Sequence, residues 1–187
     1  MRPVAIALIL LLAGCASSPP VRFYTLAPVA PARHPPPAAR ITVQIAAVHI
    51  PVVLDRQEMV RESAPETLQV SDGNRWGAPL ADMIQRVLTQ DLAARLLGST
   101  VLAPQALPPA GTRVLVLDVL RFEVGPSGRA ALEGSWSLFA TDSGQALLIR
   151  RVSLTSRQSA GSYRGQAAAM SRLLGRLADR IAAALVH

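Results

Sequence analysis

The first fifteen residues restrict the chain more strongly than any other segment. Met1-Arg2 is a short basic start, and residues 4–12 form an unbroken apolar run of nine. A run of this length matches the core of a signal peptide and is too short to cross a bilayer as a helix. It ends in Leu12-Ala13-Gly14-Cys15. Here the small residues suit a signal peptidase, and the thiol is the group that accepts a diacylglycerol. The sequence therefore predicts cleavage after residue 14 and lipidation of Cys15.

The expected modification is an N-acyl diacylglycerol on Cys15, with palmitate-type chains, and no other cofactor is expected. Several acyl chains hold a protein firmly, at about 0.8 kcal/mol for each buried methylene. Ala16 and Ser17 follow the cysteine. An Asp directly after the cysteine is the usual signal for retention in the inner membrane. Since it is absent, the sequence predicts an anchor in the outer membrane, with the protein on its periplasmic face.

Residues 16–40 contain seven prolines, a composition typical of an extended linker that packs no core. Within them, Phe23-Tyr24-Thr25-Leu26 is aromatic and β-prone, which indicates a short edge strand over 23–26. The predicted organisation is a signal peptide at 1–14, a lipidated cysteine and linker at 15–40, and one periplasmic domain at 41–187.

Alternating apolar residues and turn signals predict the strands of this domain. A first strand is expected at 41–50, an extended charged stretch at 55–63 and short strands at 67–71 and 101–102. Ser71-Asp72-Gly73-Asn74 reads as a turn. Three longer strands, which should form an antiparallel meander, are predicted at 113–124, 129–140 and 146–156.

Two amphipathic helices complete the predicted fold. Pro79 suits a helix start, Leu80 to Leu96 repeat an apolar residue every four positions, and Gly98 suits the helix end. A second helix is expected over 162–186. The fold class is therefore an α/β sandwich, in which a mixed, mainly antiparallel sheet is flanked by two long amphipathic helices.

Several kinds of catalysis lack the residues that they need. All 19 basic residues are Arg, so the lysines of a P-loop and of the Ser-x-x-Lys hydrolases are missing. The single cysteine is used for lipidation, and the three histidines lie far apart in sequence, without the spacing of metal ligands. The formal net charge of +7 is modest. We therefore expect no enzyme, no metal site and no nucleic-acid partner.

Two groups of polar residues are candidates for partner binding. Asp55, Arg56 and Arg61 belong to a predicted exposed loop. There they either bind a partner or form a salt-bridged surface with the nearby glutamates. Arg75 and Trp76 precede the first helix; they are either an interface anchor or a core tryptophan with its neighbour.

A third candidate group lies on the C-terminal helix. Arg172, Arg176 and Arg180 form one stripe opposite its apolar face. This stripe is either a solvated surface or a contact for lipid headgroups or an acidic partner, through pairing of guanidinium with phosphate or carboxylate.

The order of several short motifs is similar to a known family. They are Phe23-Tyr24-Thr25-Leu26, Leu54-Asp55-Arg56, Met59-Val60-Arg61, Arg75-Trp76-x-x-Pro79-Leu80, Arg121-Phe122-Glu123, Trp136 and Tyr163. Together they resemble the ABC-type transport auxiliary lipoproteins of the paraquat-inducible protein C type. The resemblance spans nearly all of the mature chain.

The resemblance implies an auxiliary component of an MCE-type ABC system that moves lipid between the inner and outer membranes. Its partners would be an MCE-domain substrate-binding protein and, indirectly, an ABC permease and ATPase. It also implies a fold like the N-terminal domain of TolB. The cargo lipid, and whether several copies assemble into a ring, stay open.

Two other functions stay open beside this one. One is a structural or regulatory envelope lipoprotein, such as a cell-wall synthase activator or a secretin pilot. The other is a periplasmic hydrolase.

Overall fold

A computed structural model describes residues 20–31, 40–157 and 160–186. Within them, eight strands form one mixed sheet and two long helices accompany it. The strands are β1 (Arg22–Tyr24), β2 (Thr42–His49), β3 (Glu58–Ala64), β4 (Thr67–Trp76), β5 (Thr100–Leu102), β6 (Arg113–Val124), β7 (Ala130–Ala140) and β8 (Ala146–Thr155). The helices are α1 (Leu80–Arg95) and α2 (Tyr163–Val186). The predicted signal peptide and Cys15 lie outside the described residues.

The sheet is organised around β6. One edge of β6 pairs along its whole length with β7, and β7 pairs with β8, both antiparallel. The other edge of β6 is shared, because its first half pairs with β2 and its last residue contacts β3, both parallel. Beyond these, β4 pairs antiparallel with β3, while β1 and β5 add short parallel edges. The predicted mixed sheet, with its meander of long strands, is confirmed.

Both helices pack side by side on one face of this sheet. Along β6, Leu115 and Leu117 are buried beneath them, while the alternate residues Val114 and Val116 are only partly covered. This alternation is expected when one face of a sheet lies on the core and the other faces solvent. The apolar stripes of α1 and α2 meet the sheet in one continuous core. The result is a two-layer structure with an open outer sheet face.

The segment predicted as a turn at residues 71–74 is instead part of β4, so that prediction is wrong. Asn74 pairs with Arg22 of β1, and the next residue, Arg75, pairs with Glu58 of β3. Strand partners on both sides supply the backbone hydrogen bonds that a turn would otherwise satisfy locally. The Ser71 hydroxyl still accepts the Asn74 backbone N–H at 3.1 Å, a remnant of the local preference.

The extended stretch predicted from residue 55 begins later than expected. Residues Val52–Leu54 form a short 3₁₀ turn, and β3 starts only at Glu58. Leu54 is buried at the end of this turn, whereas Val52 is 90% exposed. The chain therefore presents an exposed loop between β2 and β3.

The linker prediction for residues 15–40 also needs correction where the structure describes it. Leu26 is 2% exposed and belongs to the core, and β1 precedes it at Arg22–Tyr24. Proline content is a poor guide here. The pairing of β1 with β4 and the burial of the Leu26 side chain are enough to dock this extended segment on the domain. The packed domain thus includes residues well before 41.

Candidate functional site

The exposed loop before β3 carries two of the predicted partner-binding residues. Asp55 and Arg56 are both exposed, next to the projecting side chains of Val52 and Val53. The guanidinium Nε of Arg56 lies 3.4 Å from a Glu58 carboxylate oxygen. A hydrogen bond to its own backbone N–H lowers the pKa of Glu58, with a further contribution from Arg56. The loop therefore combines exposed apolar and charged groups.

Arg61 is turned away from this loop and towards α2. Its Nε donates to the Gln166 side-chain oxygen at 2.8 Å, and its guanidinium lies 4.2 Å from the centre of the Tyr163 ring. Gln166 in turn donates to the Val60 carbonyl at 2.9 Å. Partial burial lowers the pKa of Arg61, although no guanidinium in a protein loses its charge at ordinary pH. These contacts join β3 to the start of α2 and leave Arg61 a mainly structural role.

Arg75 and Trp76 do not form an exposed interface anchor. Trp76 is 3% exposed and packs in the core, so its predicted contact with a partner is corrected. Burial of an indole removes a large apolar area from water, which stabilises the folded state. Arg75 is half-buried at the junction of β1, β3 and β4, where it pairs in register with Phe23 and Glu58.

The stripe on α2 is exposed at all three predicted positions. Arg176 donates to the Thr155 carbonyl at 2.7 Å, which holds it close to the end of β8. Together with Arg157, Arg172 and Arg176 line a shallow cleft of about 330 Å³ with an apolar floor at Leu173. Arg180 lies about one turn beyond Arg176 along the helix.

A buried charged cluster between the helices was missed in the sequence. Asp91 and Arg95 are 1% and 3% exposed, in the same row of α1 as the core residues Met83 and Val87. The Arg95 Nε donates to Asp179 of α2 at 2.6 Å. The spacing of these residues does indicate their burial in the sequence. Residues 83, 87, 91 and 95 are each four apart, so Asp91 and Arg95 share one helix face with the apolar Met83 and Val87.

This cluster holds the segment that follows β1. The Asp91 carboxylate accepts the Val29 backbone N–H at 2.7 Å, and Arg95 donates to the Val29 carbonyl at 3.0 Å. On α2, the Ser171 hydroxyl accepts the Ala27 N–H at 3.1 Å, and a Cβ on Gly175 would lie 3.0 Å from Val29. Burial raises the pKa of Asp91, although the Val29 N–H and Arg95 act in the opposite direction.

A second charged network lies at the far end of β6. Arg121 forms ion pairs with Glu62 of β3 and, at 2.7 Å, with Glu123. The hydrogen bond from Arg121 to Glu123 is the main reason that the pKa of Arg121 is raised. The expected mixture of acids and arginines on β3 is thus a salt-bridged surface, but Glu62 pairs with Arg121 rather than with Arg61.

Neither network has the composition of a metal centre. Over the described ranges, no group of three or more His, Cys, Asp and Glu side chains is arranged to hold a metal ion. In the same part of the chain, no helix combines the length and apolarity that crossing a membrane requires.

Comparison with known proteins places these features in a family. The family model of the ABC-type transport auxiliary lipoprotein component matches residues 24–182. No curated protein sequence matches the chain.

Solved structures share the fold. The chain is 21% identical to a crystal structure of an uncharacterized protein, with a TM-score of 0.74 over 89% of this chain and 99% of that one. It is 19% identical to a protein from Xanthomonas campestris, with a TM-score of 0.65 over 86% of this chain and 92% of the other. At these identities the likeness concerns the fold alone. Because the family model covers most of the sequence, the chain belongs to the family of ABC-type transport auxiliary lipoprotein components.

Proposed function

We propose that this protein is the outer-membrane-side component of an MCE-type ABC system that moves phospholipid or related hydrophobic molecules between the two membranes. The observation that carries this proposal is the family match over residues 24–182. The lipid anchor predicted at Cys15 on the periplasmic face of the outer membrane would hold the domain beside the periplasmic assembly.

The role is docking rather than catalysis. ATP hydrolysis belongs to the partner ATPase, and an MCE-domain substrate-binding protein is the direct partner. The core between sheet and helices is filled by side chains such as Phe122, Trp136 and Met170, which is consistent with a protein that binds partners on its surface. The analogy with the N-terminal domain of TolB is part of the same proposal.

The partner-binding loop is defined as residues 51–57, between β2 and β3. Its tip presents Val52, 90% exposed, beside the exposed charges of Asp55 and Arg56. An apolar side chain that protrudes next to a polar rim is typical of the centre of a protein interface. Arg172, Arg176 and Arg180 remain a second proposed contact, for headgroups or an acidic partner.

Site-specific photocrosslinking in intact cells tests this proposal. A photoreactive residue at Val52 or Arg56 is expected to capture the MCE-domain protein, identified by mass spectrometry. The matched control is Leu107, which is 93% exposed on a different loop and is expected to capture none of it. Capture of a cell-wall synthase or a secretin at Val52 would favour the alternative envelope role, and absence of any MCE-domain adduct would contradict the proposal.

A further inference from the structure

The described chain begins close to the membrane if Cys15 carries the anchor. Pro20, the first described residue, lies beside β4, with its carbonyl 3.9 Å from where a Cβ of Gly73 would be. Cys15 precedes Pro20 by five residues. Because an extended chain spans at most about 3.6 Å per residue, the lipidated cysteine lies within about 18 Å of Pro20. The sheet edge formed by β1 is therefore the side of the domain nearest to the bilayer.

Apolar side chains project from this edge. Phe23 of β1 is 63% exposed, and Val21, just before the strand, is 44% exposed. Neither is needed for the core, which Leu26 enters from the same segment. An exposed aromatic ring next to a lipid anchor suits the interfacial region of a membrane, where aromatic and apolar groups are favoured.

Two arginines of α2 lie beside Phe23. Arg164 and Arg172, two turns apart on one helix face, line a groove of about 480 Å³ together with Phe23 and Pro28. Arg22 and Arg164 also line the adjoining cleft next to Tyr163. Among the described residues, no acid forms an ion pair with Arg22, Arg164 or Arg172. The surface is thus basic and apolar, without the acidic partners that neutralise Arg95 and Arg121.

We propose that this membrane-facing patch, defined as Phe23, Arg164 and Arg172, rests on the anionic phospholipid leaflet that holds the acyl chains. Phe23 inserts at the level of the headgroups, and the two guanidinium groups pair with lipid phosphates. This inference rests on the lipid anchor of the proposed function and adds the orientation of the domain. It also separates Arg172 from Arg176, whose guanidinium is engaged by Thr155.

The single cysteine of the chain makes a direct test practical. Because acylation blocks the Cys15 thiol, Val21→Cys introduces the one reactive thiol, which is labelled with an environment-sensitive fluorophore in the purified, lipidated full-length protein. Leu107→Cys is the matched control position. The protein is placed on phosphatidylcholine vesicles with or without phosphatidylglycerol, and quenching by lipids brominated in their acyl chains is measured. We expect strong quenching at position 21 on the anionic vesicles and none at position 107.

Variants separate the two parts of the patch. Phe23→Ser is expected to reduce the quenching at position 21. Arg164→Glu with Arg172→Glu is expected to reduce it further, because loss of each basic contact to an anionic surface lowers the equilibrium constant for docking about fivefold, or about 25-fold for both. Arg150→Glu with Arg151→Glu, exposed on β8, is the charge-matched control and is expected to leave the quenching unchanged.

The outcomes distinguish this inference from the proposed function. Protein that floats with the vesicles while position 21 is quenched no more than position 107 overturns the patch and leaves the anchored lipoprotein intact. Quenching that is independent of phosphatidylglycerol and of both arginines overturns the headgroup contact. If full-length protein purified from cells carries no acyl chains on Cys15 and stays in solution, the anchor, on which both rest, is overturned. Failure of the MCE crosslink alone overturns only the transport partner.

Discussion

At the scale of single residues, Asp91 and Arg95 show a charged pair used for attachment. Replacing a buried ion pair by apolar residues is often neutral in stability, but removing one member is costly. Here the pair also binds both backbone groups of Val29, at 2.7 Å and 3.0 Å. The pair therefore determines where the N-terminal segment crosses the helices, which apolar side chains alone would specify less sharply.

The raised pKa of Asp91 gives a pH dependence with a defined sign. The folded state binds the proton more tightly than the unfolded chain, whose reference pKa is 3.8. Stability from this group is therefore present below that value and is lost as pH rises through the folded pKa. We expect the unfolding free energy of the wild type, relative to Asp91→Asn, to fall as the pH rises above the unfolded-state pKa of 3.8, measured by urea unfolding.

Asn at position 91 keeps an oxygen for the Val29 N–H, so the comparison isolates the charge. Arg95 and Asp179 face the same site and are present in both proteins. Asp72→Asn, which removes an exposed carboxylate, is the control for loss of one charge. A relative stability that rises with pH would show that attraction to Arg95 outweighs burial.

At the scale of elements, the β6–β7 pair contains an irregularity that depends on one glycine. The register shifts between Val119 and Arg121, and Gly134 of β7 has φ of 159° opposite the shift. A Cβ at this position would lie far inside van der Waals distance of the Asp118 carbonyl oxygen. The irregularity therefore tolerates no side chain on β7 at this point.

Gly134→Ala is expected to destabilise the protein by about 3 kcal/mol, the upper part of the usual range for overpacking. The clash is with backbone that is paired on both sides, so neither strand is free to move away. Urea unfolding measures the loss. Gly161→Ala, where a Cβ would meet nothing within 4 Å, is expected to change stability by less than about 0.5 kcal/mol. Equal effects at both positions would contradict this argument.

Strands and helices that bury one face are the elements that the sequence predicts best. The meander at residues 113–155 and both helices follow from periodicity, because β6, β7 and both helices bury one face along most of their length, whereas β8 buries only Val152 and Leu154. The sequence predicts a turn at 71–74, but Gly73 and Asn74 lie in β4, where Asn74 pairs with Arg22 of β1, far away in the sequence. Local signals fail where pairing at long range decides the conformation.

The candidate surfaces were predicted less completely. Asp55, Arg56 and the α2 arginines are exposed as expected for polar groups, but Trp76 is buried because a large ring suits the core as well as an interface. The role of Phe23 depends on α2, which lies far away in the chain, so no local pattern could bring Phe23, Arg164 and Arg172 together.

At the scale of the whole molecule, the N-terminal segment is part of the folded unit. A lipid-free chain that begins at residue 41 lacks Leu26 and leaves Asp91 and Arg95 without Val29. We expect it to be less stable than a chain that begins at residue 20 by at least about 3 kcal/mol, from about 2 for burial of one leucine and 1 or more for unpaired polar groups. Guanidinium unfolding measures the difference.

In the longer chain, Leu26→Ala should reproduce much of the loss, whereas Val21→Ala should not, because Val21 is already 44% exposed. Equal stability of the two chains would mean that the segment only lies on the domain.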